Sequence, residues 1–149
     1  MVGCTFAGHR TVLSGGMDKR IHKALASILE KHRDICFYCG GMGEFDILCA
    51  REAYKFKRGN PDRNILIYLI LPYMMQKIQS GKGTSFELYD EIIIPGDIDA
   101  LHYKQAIPQR NRWMVDHSQY LIAHVFRHGG AWNTIKYAKK KNLTIYNLI

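Results

Sequence analysis

A three-layer α/β sandwich, a mostly parallel sheet with helices on both faces, is predicted by three observations. Short β-branched or aromatic runs alternate with amphipathic segments of helical spacing. Glycine turns follow such runs near both ends of the chain, and no repeat or low-complexity linker interrupts the alternation. The 149 residues, 47% of them hydrophobic, suit one domain spanning 1–149 with a core of its own.

Taken in order, Cys4 to Gly8 reads as the first strand, and Ile21, Leu25, Ile28 and Leu29 then recur at helical spacing with Ser14 as the cap. Ile35 to Cys39 is the second strand. Phe45, Leu48, Cys49, Ala53 and Phe56 form an apolar helix stripe that Gly59-Asn-Pro61 stops before the strand Ile65 to Leu71. Tyr73 to Gln79 reads as a helix, and Ser80-Gly-Lys-Gly-Thr-Ser85 as a loop whose Lys82 lacks the spacing of a phosphate-binding P-loop. Glu91 to Pro95 is a fourth strand, followed by an irregular connection to a helix near Gln109 to His117. Tyr120 to Phe126 is a buried strand, Ala131 to Lys141 a helix and Thr144 to Leu148 a final strand. Right-handed crossovers would bring the carboxyl ends of the strands to one edge, where open α/β sheets bind ligands.

No apolar run approaches the roughly 20 residues that span a bilayer, and the start, Met1-Val-Gly-Cys-Thr-Phe6, lacks a signal-peptide pattern. A cytoplasmic protein with no membrane partner is expected, and Cys4, Cys36, Cys39 and Cys49 are expected as reduced, buried thiols. Cys36-Phe-Tyr-Cys39 has redox or zinc spacing, but on a strand the two thiols point to opposite faces, so neither a metal site nor any cofactor is predicted. The formal charge of +8 favours an anionic partner. Lys136 and Lys139-Lys-Lys141 read as the solvated face of the last helix.

Three glycine motifs follow strands and would converge at the sheet edge: Gly8-His-Arg10, Gly40-Gly-Met-Gly-Glu-Phe-Asp46 and Gly129-Gly-Ala-Trp-Asn-Thr134. Glycine lets the backbone approach a ligand, and the free amides at a following helix start favour a phosphate. Arg110 and Arg112, after Pro108, would return toward these loops and grip phosphate bidentately or pair with a carboxylate such as Asp116 or Asp97. Glu44 and Asp46 either cap the helix or contact a ligand. His9, between Gly8 and Arg10, is the leading titratable candidate.

The ordered set Phe6-Ala-Gly-His-Arg10, Gly40 to Asp46, Arg110-Asn-Arg-Trp-Met114 and Gly129-Gly-Ala131 resembles the SLOG superfamily, whose members include the YpsA-like, Lonely Guy and DNA-processing protein A families. The resemblance implies a Rossmann-like fold, a homo-oligomer and a pocket for a nucleotide or nucleotide-derived ligand. Carried over, the ligand-binding residues are Gly8, His9, Arg10, Gly40, Gly41, Gly43, Glu44, Asp46, Arg110, Asn111, Arg112, Gly129, Gly130 and Thr134. Catalysis by Glu44, Asp46 or His9 has weaker support. The Lonely Guy motif Pro-Gly-Gly-x-Gly-Thr-x-x-Glu faces His128-Gly-Gly-Ala-Trp-Asn-Thr-Ile-Lys136 here, without the proline, third glycine and glutamate.

Three functions are therefore expected in this order: a module that senses or sequesters a nucleotide-derived molecule, a nucleoside-monophosphate phosphoribohydrolase-like enzyme, and a single-stranded nucleic-acid binder using Trp113 and Trp132. On the first, Arg110→Ala is expected to abolish binding and spare folding.

Overall fold

The computed structural model describes residues 1–11, 15–73, 86–96 and 103–149. Ser14, Lys82, Asp97 and nearly all of the helix expected at Tyr73 to Gln79 lie outside the described residues.

Six strands, β1 (Val2–Gly8), β2 (Ile35–Cys39), β3 (Ile65–Ile70), β4 (Glu91–Ile93), β5 (Tyr120–His124) and β6 (Thr144–Asn147), form one all-parallel sheet in the order β4-β3-β2-β1-β5-β6. Among the described residues four α-helices accompany it: α1 (Met17–Lys31), α2 (Glu44–Gly59), α3 (Tyr103–Asp116) and α4 (Gly130–Lys140). The architecture is the expected α/β Rossmann-like sandwich.

Alternation along each strand divides the core. Cys4 and Phe6 of β1, Ile35, Phe37 and Cys39 of β2 and Ile122 of β5 face α1 and α2, whose Ile21, Leu25, Ile28, Phe45, Cys49 and Ala53 complete that layer. Ala7, Leu121 and Ala123 point the other way and pack with Val115, Ile135 and Ala138 of α3 and α4. Cys39 accordingly belongs to the α1/α2 layer, whereas Cys36, three residues earlier, leaves the opposite face. All four thiols are free and buried, and burial pushes the Cys36 thiol up to about 11.

Two helix starts differ from the sequence expectation. The cap position of α1 is Gly16, in the left-handed region at φ 79°, rather than Ser14. Helix α3 begins at Tyr103 and carries Pro108 inside it. Pro108 is exposed; there its ring forfeits a single hydrogen bond, so the helix expected near Gln109 to His117 extends back through it.

The chain adds strands outward from β1 through β2 and β3 to β4, then crosses back to place β5 on the other side of β1. Loops leaving β1 and β5 therefore diverge to opposite faces and open a crevice at the carboxyl edge.

Candidate functional site

A cleft of about 430 Å³ occupies that crevice, lined from β1 by Gly8, His9 and Arg10, from the β2 loop by Gly40, Met42 and Asp46, and from α3 by Arg110 and Asn111. The β5 loop and α4 supply Arg127, His128, Gly129, Gly130 and Thr134. Three loops far apart in sequence thus meet as expected.

Their backbones interlock. Glu44 N–H donates to the Arg10 carbonyl at 2.8 Å, joining the β1 loop to the start of α2. Phe126 N–H donates to His9 Nε2 at 3.2 Å, joining the β1 and β5 loops, and the Phe126 ring meets the imidazole edge-on at 4.5 Å. Asn147 clamps Val125 by accepting from its N–H and donating to its carbonyl, each at 3.1 Å, which fixes where the β5 loop departs.

Asp46 settles the role of the second glycine motif. Its carboxylate accepts Gly40 N–H at 3.0 Å and Gly41 N–H at 3.1 Å. Two amides of this glycine loop, ahead of the start of α2, are thus already bonded to a carboxyl group of the chain itself. Burial raises the Asp46 carboxyl above its ordinary range, while the two amides and Arg110 pull it back. Gly41 has φ 69°, and a Cβ there would lie 2.5 Å from Leu69 Cδ1, so position 41 tolerates no side chain.

Arg110 is likewise internal. It is 3% exposed; Nη1 donates to the carbonyls of Gly40 at 3.0 Å and Ile70 at 2.8 Å, Nε donates to Asn111 Oδ1 at 2.9 Å, and Nη2 points to Met42 Sδ at 3.7 Å. Burial lowers its pKa and Asp46 opposes that shift. Arg110 therefore ties α3 to the ends of β2 and β3, and Arg110→Ala is not a substitution that spares folding.

Arg112 and Glu44 do not line this cleft. Arg112 lies on the outer α3/α4 face with its guanidinium 5.5 Å from the centre of the Tyr137 ring. Asp116 meets Tyr137 and Lys141 rather than either arginine. Glu44 is exposed and borders a shallow surface between α1 and α2. Gly43, at φ 89°, ends the loop against the Arg10 backbone.

The start of α4 is built differently. Gly129, at φ 146°, caps the helix, and the first intrahelical bond runs from Asn133 N–H to the Gly129 carbonyl at 3.0 Å. The amides of Gly130, Ala131 and Trp132 precede that bond and have no acceptor within the helix. No acidic residue occupies this first turn. Thr134 Oγ1 donates back to the Gly130 carbonyl at 3.1 Å, leaving its lone pairs as acceptors toward the cleft. Arg10 and the exposed Arg127 flank the turn. Sequence reasoning missed Arg127, although a cation two residues before a glycine-opened helix was a visible signal.

Two histidines at this edge shape pH dependence. His124 Nδ1 is buried without a hydrogen-bond partner, beside Phe45 and Phe126. Burial depresses both imidazoles, with Arg127 and then His124 adding to the effect at His9, and Arg20 at His124. The unfolded chain takes up these protons near pH 6.5, so below that pH it binds more protons than the folded state, and stability is lost as pH falls. Asp46, raised in the fold, has the opposite sign at lower pH. Thermal melting between about pH 7 and about pH 5 should therefore show a shallower decline for His124→Leu than for the natural chain. Identical slopes would contradict the assignment.

Among the described residues no group of His, Cys, Asp and Glu side chains could hold a metal ion, and no helix is long and apolar enough to cross a membrane.

No protein-family model and no curated protein matches the sequence. The fold has clear counterparts. DNA processing protein A from Streptococcus pneumoniae superposes with a TM-score of 0.67 at 14% identity, covering 97% of this chain and 49% of that one. DNA processing protein A from Helicobacter pylori, described for its single-stranded DNA binding mode, gives 0.69 at 13% identity over 97% of this chain and 63% of that one. A protein named TM1055 gives 0.59 at 13% identity, covering 97% and 72%. The chain thus spans about half to two thirds of the DNA processing proteins it resembles. With the all-parallel order of strands and the glycine loops gathered at one edge, the protein has the Rossmann-like fold of these DNA processing proteins.

Proposed function

We propose that the protein binds a nucleotide or nucleotide-derived ligand at the carboxyl edge of the sheet, as a sensing or sequestering module. One observation carries the reading: of the two glycine loops that open helices at the cleft, the one before α2 has its Gly40 and Gly41 amides taken by Asp46 and its Glu44 amide by the Arg10 carbonyl, while the one before α4 leads into a first turn with no side-chain cap and no acid of its own. A phosphate seated there meets the amides of Gly130 and Ala131, with Arg10 and Arg127 on either side. Apolar Phe6, Ala7 and Met114 on the same walls leave room for a base.

Arg127 is exposed and stacks on Phe126 at 5.2 Å, so its removal leaves the core untouched. Arg127→Ala should weaken nucleoside-monophosphate binding by about tenfold, the loss of one charge-assisted contact, with an unchanged melting temperature. Equal affinity in a calorimetric titration would remove Arg127 from the site.

Hydrolysis of an N-glycosidic bond has less support. Asp46 is the lone carboxylate among the described residues of the cleft, and both its oxygens are engaged by loop amides. The single-strand reading is favoured by the single-stranded DNA binding described for the Helicobacter pylori protein and by exposed Phe126 and half-exposed Trp132 near the basic edge. Its test is fluorescence anisotropy with a labelled oligonucleotide, where affinity should fall steeply with salt. Absence of binding at low salt ends that reading.

A further inference from the structure

The cleft continues beyond Gly130. Ile107, Asn111, Gly130 and Thr134 line it and also a second cavity of about 390 Å³ between α3 and α4, so the two form one trough from the sheet edge along the helix pair. The second half has an apolar floor, Ile107, Pro108 and Val115, beneath three exposed cations, Arg112, Lys136 and Lys140, and among the described residues its lining contains no Asp or Glu. Asp116, the acid nearest Arg112 in sequence, accepts from Tyr137 Oη at 2.7 Å and faces Lys141 at 3.7 Å. That arrangement fixes the Tyr137 ring under the Arg112 guanidinium.

We propose that this half of the trough is a second phosphate subsite, and that the ligand is at least a linear dinucleotide. The first phosphate sits on the opening turn of α4, and the next lies against Arg112, Lys136 and Lys140, with the connecting sugar and base over the apolar floor. Gly130 and Lys140 stand at opposite ends of α4, roughly 15 Å apart along its axis, too far for the phosphate of one mononucleotide to reach both. The inference rests on the nucleotide reading of the cleft. It gives Arg112 a role the cleft alone does not, and it makes Lys136 and Lys140 more than a solvated face.

The test is calorimetry at low salt with thymidine monophosphate, the linear dinucleotide pTpT and decathymidylate, on the natural chain and on Lys136→Glu/Lys140→Glu. Both lysines are exposed, so the variant should melt as the natural chain does; should it melt lower, Lys136→Gln/Lys140→Gln carries the same comparison. The dinucleotide should bind at least about tenfold more tightly than the monophosphate, and the charge reversal should remove that gain while moving monophosphate affinity by less than about twofold. A decathymidylate no tighter than pTpT identifies a free dinucleotide, and a tighter one identifies the end of a strand; both support the subsite. Monophosphate binding with no gain for pTpT overturns the second subsite and leaves the cleft. No binding of any probe overturns both.

Discussion

Arg110→Ala should destabilise the protein by about 3–5 kcal/mol, because it strips a buried cation from partners that have no substitute. The carbonyls of Gly40 and Ile70 lose the Nη1 donor that satisfies both, and Asp46 keeps its two amides but loses the neighbouring charge that helps hold its carboxyl ionised. The gap also opens at the junction of β2, β3 and α3, where collapse would have to move the glycine loop. For a chain of this length such a loss lowers the melting temperature by about 10 °C or more. Arg110→Lys should recover only part of it, since an ammonium cannot present the planar fork that reaches two carbonyls and Asn111 together. A melting temperature unchanged in Arg110→Ala would show that this network contributes nothing net.

Gly8→Ala is expected to have the next largest effect, although it adds only one methyl group. A Cβ at Gly8 would lie 2.4 Å from Phe45 Cδ2 and 2.7 Å from its Cβ. Phe45 has no exposed surface, and its helix start is pinned by the bond from Glu44 N–H to the Arg10 carbonyl. Neither partner can step aside without unlocking the β1 loop. The overpacking should cost about 1–3 kcal/mol and displace His9 and Arg10, so ligand affinity should fall with stability. Pairing it with Phe45→Leu should restore part of the loss, giving a double-mutant cycle that departs from additivity. Additive effects in urea unfolding would contradict the contact. Gly8 is therefore a packing glycine as well as a lining one.

How much of this was legible in the sequence follows from where local pattern decides structure. Ile35–Cys39 appears as read because alternation and the flanking polar and glycine residues bound it on both sides. Helix α3 starts at Tyr103, within the stretch read as an irregular connection, because Pro108 on an exposed turn removes only one bond and does not end the helix. Convergence of the three glycine motifs followed from topology alone. The occupants of the loops did not: glycines at 40 and 41 announce a close approach but not that Asp46 makes it. Arg110 and Arg112, two residues apart on a helix, point roughly 200° from each other, so the sequence already implied that one cleft could not hold both. Arg110 turns inward to the loops and Arg112 outward to Tyr137.

The most direct measurement of the central claim is amide mapping by two-dimensional NMR while a nucleoside monophosphate is added to the isotope-labelled protein. A phosphate on the opening turn of α4 should shift the amides of Gly130, Ala131 and Trp132 most, with smaller changes at Arg10 and Arg127. The amides of Gly40 and Gly41, held by Asp46, should move little. Saturating shifts centred on Gly40 and Gly41, or none on α4 at millimolar nucleotide, would contradict the assignment of this edge as a nucleotide site.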